Sequence, residues 1–339
     1  MERDDGFYVD RLMDLSTYSL TQAEPDSDWD KFVEASPQGT IFSLTEFVGA
    51  SRFRPSLWYC QKNKRIVAAV ALLETEDGTG CLHAGLLVYN GILFAPHDPN
   101  QNQAQRLSEE FRITSAIVRD LSEHYGRLEM SVHYTMSDLR PFVWHNYGTE
   151  KHKFDISLRY TSVVEITGAQ ERDLNNNPVY AACNKSRRQE IRYALKAGVE
   201  TRESYDASVF EELYRKTFEV QNLTPPPEEM REILSAVDRL KAGGRLRMYQ
   251  CSEPGQTVGS VAIFGVDSKR AYYLYGANDP TLRSGHTGTA VLWHAFQDME
   301  RDGFPEADLE GINSPKRGYF KLSFGGSITP YHILRLRAD

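Results

Sequence analysis

The stretch 318-GYFKLSFGGSITPYH-332 places a lysine, Lys321, among aromatic residues and sets a glycine pair behind them. An ammonium stripped of water without a partner is costly, so a core segment does not carry a lysine idly. A solvated loop, conversely, has no use for so many large rings. An earlier stretch, 142-FVWHNYGTEKHKFDI-156, keeps the same order: aromatics into a glycine, a few polar residues, then an alternating run suited to a strand.

Upstream of each ending the same series of elements recurs. The first half has a short helix over 28-DWDKFVEAS-36, capped by Ser27 or Asp28, then strand-like runs at 56–61, 65–73, 81–88 and 127–133. A longer helix over about 102–125 sets Leu107, Phe111, Ile117, Val118 and Leu121 at near-helical spacing. A short helix ending at Gly148 precedes a strand near 151–158. The second half has a helix near 206–222, a break at Pro225–Pro227, and strands at 245–251, 257–266 and 270–277. A helix over about 287–302, a strand at 306–311, a short helix and a terminal strand at 329–336 complete it. This order predicts a divergent duplication.

Composition bounds the class. With 339 residues the chain is long enough for two domains, and 40% apolar with 25% charged residues is a globular profile. No apolar run approaches the roughly 20 residues that span a bilayer. The acidic start MERDDGFYVDRLMDL has no apolar signal region, so a cytoplasmic location is expected. Cys60, Cys81, Cys183 and Cys251 are far apart, without CxxC spacing, and the histidines are scattered, so no metal site is expected. The net charge is -8, but residues 1–30 hold nine acidic and two basic residues, leaving the other 309 near -1. That balance implies no general attraction to DNA.

Between the halves lies 184-NKSRRQEIRYALKAGVE-200, with Asn184 as an N-cap and Gly198 beyond the C-terminal end. Lys185, Arg188, Arg192 and Lys196 share one helical face; Ile191, Ala194 and Leu195 mark another.

Together these pieces resemble the FemAB-type peptidyltransferases, a branch of the GNAT acyltransferase superfamily built from two GNAT-like domains. The resemblance rests on Arg188, Arg192, Ala194, Gly198 and Val199 of the connecting helix, on 272-YYLYGAN-278, on 308-DLEG-311, and above all on 319-YFKLSFGG-326. It implies an α+β fold of two GNAT-like domains, each a mixed, mostly antiparallel sheet flanked by helices. The expected division is an acidic leader at 1–17, an N-terminal domain at 18–165, and a C-terminal domain at 166–339 that includes the basic connecting helix. The long charged hairpin that some members carry for tRNA is absent from the sequence. The CoA phosphate loop has altered spacing in 283-RSGHTGTA-290.

The activity implied is acyl or aminoacyl transfer to an amine of a bacterial cell-envelope or polysaccharide precursor. The alternatives are CoA-dependent N-acylation of a sugar, peptide or metabolite amine, and a catalytically silent ligand-binding module. The donor would be acyl-CoA or aminoacyl-tRNA, with no tightly bound cofactor. The partner would be a small-molecule or nucleotide-linked precursor. The oligomeric state is not legible.

Amide formation mostly needs two positioned substrates and a stabilised oxyanion. By the resemblance, Lys321 lies near the reacting centre as a fixed cation; its alternative is a stem packed on Phe320 and Phe324 with the ammonium in water. Asp308 or Glu310 would accept the proton of the attacking amine, or else form a hydrogen-bonded strand end; alternation puts both on one face. Arg188 and Arg192 suit pyrophosphate, or form a solvated helix face. Tyr275, Tyr319 and Phe320 are candidate substrate contacts. Arg283, Gly285, Thr287 and Gly288 could hold a donor phosphate at a helix start, with Thr287 otherwise an N-cap.

Overall fold

Strand and helix starts are set locally by caps and apolar spacing, and the computed structural model describes residues 14–84, 86–219, 222–282 and 285–337. The chain divides into two units, one of residues up to 159 with 330 onward, the other of 160–329.

The first unit contains β1 (Tyr18–Gln22), α1 (Ser27–Ala35), α2 (Thr45–Val48), β2 (Pro55–Lys62), β3 (Arg65–Glu74), β4 (Gly80–Leu82), β5 (Gly91–Phe94), α3 (Gln103–His124), β6 (Arg127–Val132), α4 (Arg140–Val143) and the start of β7 (Asp155–Glu165). Strands β1, β2 and β3 form an antiparallel meander, and β3 also pairs antiparallel with β4 and β5. Strand β6, which follows the long helix, pairs parallel with β4. Asn102 and Gln105 close a capping box on α3, which buries Ile117, Val118 and Leu121 in one core with Val70, Leu128 and Met130.

The second unit takes the rest of β7, then α5 (Pro178–Ala182), α6 (Lys185–Lys196), β8 (Glu200–Glu203), α7 (Ala207–Glu219), α8 (Pro227–Ala242), β9 (Leu246–Ser252), β10 (Val258–Val266), β11 (Ala271–Asn278), α9 (Thr287–Arg301), β12 (Glu306–Asp308), α10 (Pro315–Leu322) and the start of β13 (Ser327–Arg337). Strands β8 to β11 form an antiparallel meander. Strand β12, after the long helix α9, pairs parallel with β11 and antiparallel with β7. In both units, then, the strand after the long helix returns parallel to the meander. The second core packs Val291, Leu292, Trp293 and Phe296 of α9 against Tyr249, Ala262 and Phe264 of the sheet.

The structure departs from several expectations. The division falls at 159/160, inside the continuous strand β7, rather than at 165/166. The last strand, expected in the C-terminal domain, pairs from His332 to Arg337 with β6 of the first unit and buries Leu334 and Leu336 there. The expected leader lies largely outside the described residues. The cap of α1 is Asp26, whose carboxylate accepts from the Asp28 and Trp29 amides. Residues 83, 84 and 86–88 of the expected run are not strand, and residue 85 lies outside the described residues. Helix α8 is not among the expected elements, although Met230, Ile233, Val237 and Leu240 have helical spacing and are buried. Leu107 and Leu195 are exposed: Leu107 lies on the stripe of α3 but a turn before its first buried residue, Phe111, and Leu195 lies beside the α6 stripe of Ile191 and Ala194.

Candidate active site

The site forms in the second unit where β12 ends and α10 begins. Asp308, the last residue of β12, is wholly buried. Its Oδ1 accepts from the Thr161 hydroxyl and, at 2.8 Å, from the Glu310 amide. Leu309 next donates its amide to the Ser162 carbonyl at 2.8 Å and buries its side chain in the core. The backbone then turns left-handed at Glu310, with φ of 56°. A non-glycine residue in that region is held there by its surroundings. Alternation is therefore broken: Asp308 and Glu310 do not share a strand face, because the strand stops between them.

Glu310 is 7% exposed, and its Oε1 has no hydrogen-bond partner among the described residues. Burial pushes its carboxyl well above the usual carboxylate range; the Lys321 charge opposes the rise and the Asp308 charge adds to it. Lys321, in the last turn of α10, sets its Nζ 5.3 Å from the centroid of the Tyr273 ring. Burial holds its ammonium below the ordinary lysine value, against the pull of Glu310 and Asp308. Burial likewise raises the Tyr273 and Tyr275 hydroxyls, with Glu310 contributing to both. A bulge where Ile263 faces Tyr275 and Phe264 faces Tyr273 interrupts the β10–β11 register. It turns the Tyr273 ring to Phe264, with centroids 5.1 Å apart, and the Tyr275 ring toward Phe210 of α7, at 6.2 Å.

The glycine pair after α10 is a close-approach device. Gly325 has φ of 84°, and a Cβ there would stand 2.4 Å from the Ala182 carbonyl oxygen. One at Gly326 would stand 2.3 Å from the Ser162 hydroxyl. Only glycine lets the end of α10 lie on these two segments.

Lys321, Asp308, Glu310 and Tyr275 are thus brought together. Tyr319 is not part of that group and is 68% exposed. Phe320, expected as a substrate contact, packs on the core, 5.5 Å from the Phe324 ring. Arg192 is exposed and donates to the Tyr180 hydroxyl at 2.7 Å, and Arg188 is half-buried. Arg283 lies outside the described residues. At the start of α9, Gly285 and Gly288 are crowded rather than open. A Cβ on Gly285 would stand 2.3 Å from Glu253 Cγ, and one on Gly288 2.8 Å from Asn278 Oδ1. Thr287 is not the N-cap; His286 holds that position, with φ of 53°, and the Thr287 hydroxyl lies 2.7 Å from that of Ser260.

Two residues of the site were missed by sequence reading. Tyr273 lies in the quoted 272-YYLYGAN-278, two residues before Tyr275, but carries no distinguishing spacing. Arg187 is buried, and a signal for it existed: with Ile191 and Ala194 it falls at i, i+4 and i+7, on the inner stripe of α6.

Residues 183–321 match the family model described as the acetyltransferase (GNAT) domain. That region is a GNAT-type acyltransferase domain. Solved structures extend the GNAT likeness in fold to nearly the whole chain. FemX is similar at 13% identity and a TM-score of 0.66, over 93% of this chain and 96% of FemX. A tandem GNAT protein from the clavulanic acid biosynthesis pathway is similar at 11% identity and a TM-score of 0.51, over 95% of this chain and 100% of that one. The C-terminal domain of a putative lysylphosphatidylglycerol synthetase from Agrobacterium fabrum is similar at 10% identity and a TM-score of 0.51, over 87% of each chain. No curated protein matches the chain by sequence. Among the described residues, no helix is long and apolar enough to cross a membrane.

Proposed function

We propose that the chain joins an acyl or aminoacyl group to a primary amine, at the end of β12 and α10. Glu310 accepts the proton of the attacking amine, and Lys321 faces the carbonyl oxygen as negative charge develops on it. The new bond joins the amine nitrogen to the acyl carbon. The bond that breaks joins that carbon to the donor's sulfur or oxygen, and the leaving group departs with its electron pair. Asp308 shapes the turn that carries Glu310, and Tyr273 and Tyr275 wall the site. The observation that carries this reading is the Glu310 carboxyl, buried with one oxygen unpartnered among the described residues and electrostatically linked to Lys321.

Acyl-CoA is the donor of the GNAT superfamily and the first to test. Aminoacyl-tRNA is the second, because the crowded start of α9, with Glu253 against Gly285, is poorly suited to a CoA pyrophosphate. The acceptor we favour is an envelope precursor bearing an amine. The fold likeness to FemX and to a synthetase named for lysylphosphatidylglycerol supports that choice.

The test is turnover with acetyl-CoA, and separately with charged tRNA, against a panel of amines that includes nucleotide-linked precursors. Lys321→Met and Glu310→Gln should each lower kcat by roughly 100-fold or more while the protein still melts cooperatively. Wild-type rates in both variants would remove these residues from the reaction. No turnover with any pairing would instead favour a silent binding module.

A further inference from the structure

Arg187 is 5% exposed, although the other cations of its helix are exposed, as Lys185, Arg192 and Lys196 are, or half-buried, as Arg188 is. A buried guanidinium persists only when its donors and its charge are met, and here they are met by three helices. Its Nε donates to the Ser323 hydroxyl at 2.8 Å. Its NH1 donates to Glu190 in the same helix and to Thr289 in the first turn of α9. The Thr289 hydroxyl in turn donates to Glu190 at 2.5 Å. The guanidinium carbon lies 4.4 Å from the Phe320 ring centroid and 4.7 Å from that of Phe324. A lysine could not stack its head on two rings and still reach three acceptors; a planar fork can.

Phe320, Ser323 and Phe324 stand at positions -1, +2 and +3 relative to Lys321 in the chain. Arg187 therefore grips the turn of α10 that carries Lys321, without being in a place to touch a substrate itself. The Asn184 amide adds a second tie, donating to the Ser323 carbonyl at 3.0 Å.

We propose that Arg187 is a positioning residue: its guanidinium holds the last turn of α10 so that Lys321 faces Tyr273 and Glu310. The interest of this residue rests on the reading of Lys321 as a group of the reacting site, but its test does not require turnover.

The test is the pH profile of acetic anhydride labelling at individual lysines, read by peptide mass mapping of the full-length protein. In the wild type, Lys321 should react with a midpoint below that of the exposed Lys185 and Lys316. In Arg187→Met the turn loosens, and the Lys321 midpoint should rise by about one pH unit toward the ordinary lysine value. Those of Lys185 and Lys316 should stay put. Arg187→Lys keeps the charge but not the fork, and should fall between. If Arg187→Met fails to melt cooperatively, Ser323→Ala and Thr289→Val each remove one contact and should each give a smaller shift in the same direction. An unchanged Lys321 midpoint in every folded variant would overturn the proposal. Absence of acyl transfer with any donor would leave this labelling result intact, so the two readings fail separately.

Discussion

At the scale of single residues, the site depends on charges held where water cannot reach them. Glu310 has its carboxyl raised by burial, so ionising it works against the folded state. A group whose folded value lies above its unfolded value binds extra protons when folded, and its contribution is lost as pH rises. Glu310→Gln should therefore melt at a temperature no lower than wild type at neutral pH, with the difference growing between pH 4.5 and 8. A lower melting temperature for the glutamine variant at pH 8 would contradict the burial argument. Asp308 is held by hydrogen bonds instead. Its carboxylate is engaged by the Thr161 hydroxyl and the Glu310 amide, so Asp308→Ala should cost about 3 kcal/mol in denaturant titration. Lys321 and Glu310 could be named from the sequence, since each stands in a quoted motif. The roles of Asp308 and Glu310 could not be separated, because they depend on one left-handed backbone angle.

At the scale of elements, local signals were good guides to where helices begin and end. Asn184 caps α6, accepting from the Arg187 amide, and Gly198 stands past its end with φ of 68°. Helix α8 is masked by the proline run before it, which reads as a break; Pro227 is a first-turn proline, and the buried period of Met230, Ile233, Val237 and Leu240 follows it. Close approach was not readable at all. Nothing local says that the Gly325 α-carbon must lie against the Ala182 carbonyl. Gly325→Ala should destabilise the protein by more than about 1 kcal/mol, since a Cβ meets both the contact and the positive φ. A urea midpoint equal to wild type would show that the junction relaxes freely.

At the scale of the whole molecule, the chain closes on its own first unit. The strand pairs from His332–Val132 to Arg337–Arg127 bring the C-terminal segment into the sheet begun by β1 to β6. Deleting residues 330–339 should therefore remove amide protection from β6 while leaving β9 to β11 protected, as hydrogen exchange can show. Retained protection in β6 would refute this dependence. The first unit also sets a pH limit. Burial lowers the His83 imidazole from 6.5 to about 4, with Asn90 and Glu129 opposing. Its unfolded form takes up a proton that its folded form refuses, so stability present above about pH 6.5 is lost as pH falls toward 4. His83→Gln should flatten the fall in melting temperature across that window; an unchanged slope would assign the loss to other groups.

The sequence by itself determined most of the meanders, the two long helices after them, the capped connecting helix and the placing of Lys321 in a motif. All of these are carried by near neighbours in the chain: spacing at helical or strand period, a cap, a glycine after a helix. Only the tertiary structure decided which arginine of 187-RR-188 is buried, that Glu310 rather than Asp308 keeps an unpartnered oxygen, that the glycines before α9 are crowded, and that the last strand belongs to the first unit. These depend on contacts between residues far apart in the chain, such as Arg187 with Ser323 or Asp308 with Thr161. Packing chooses among side chains that local periodicity leaves equivalent.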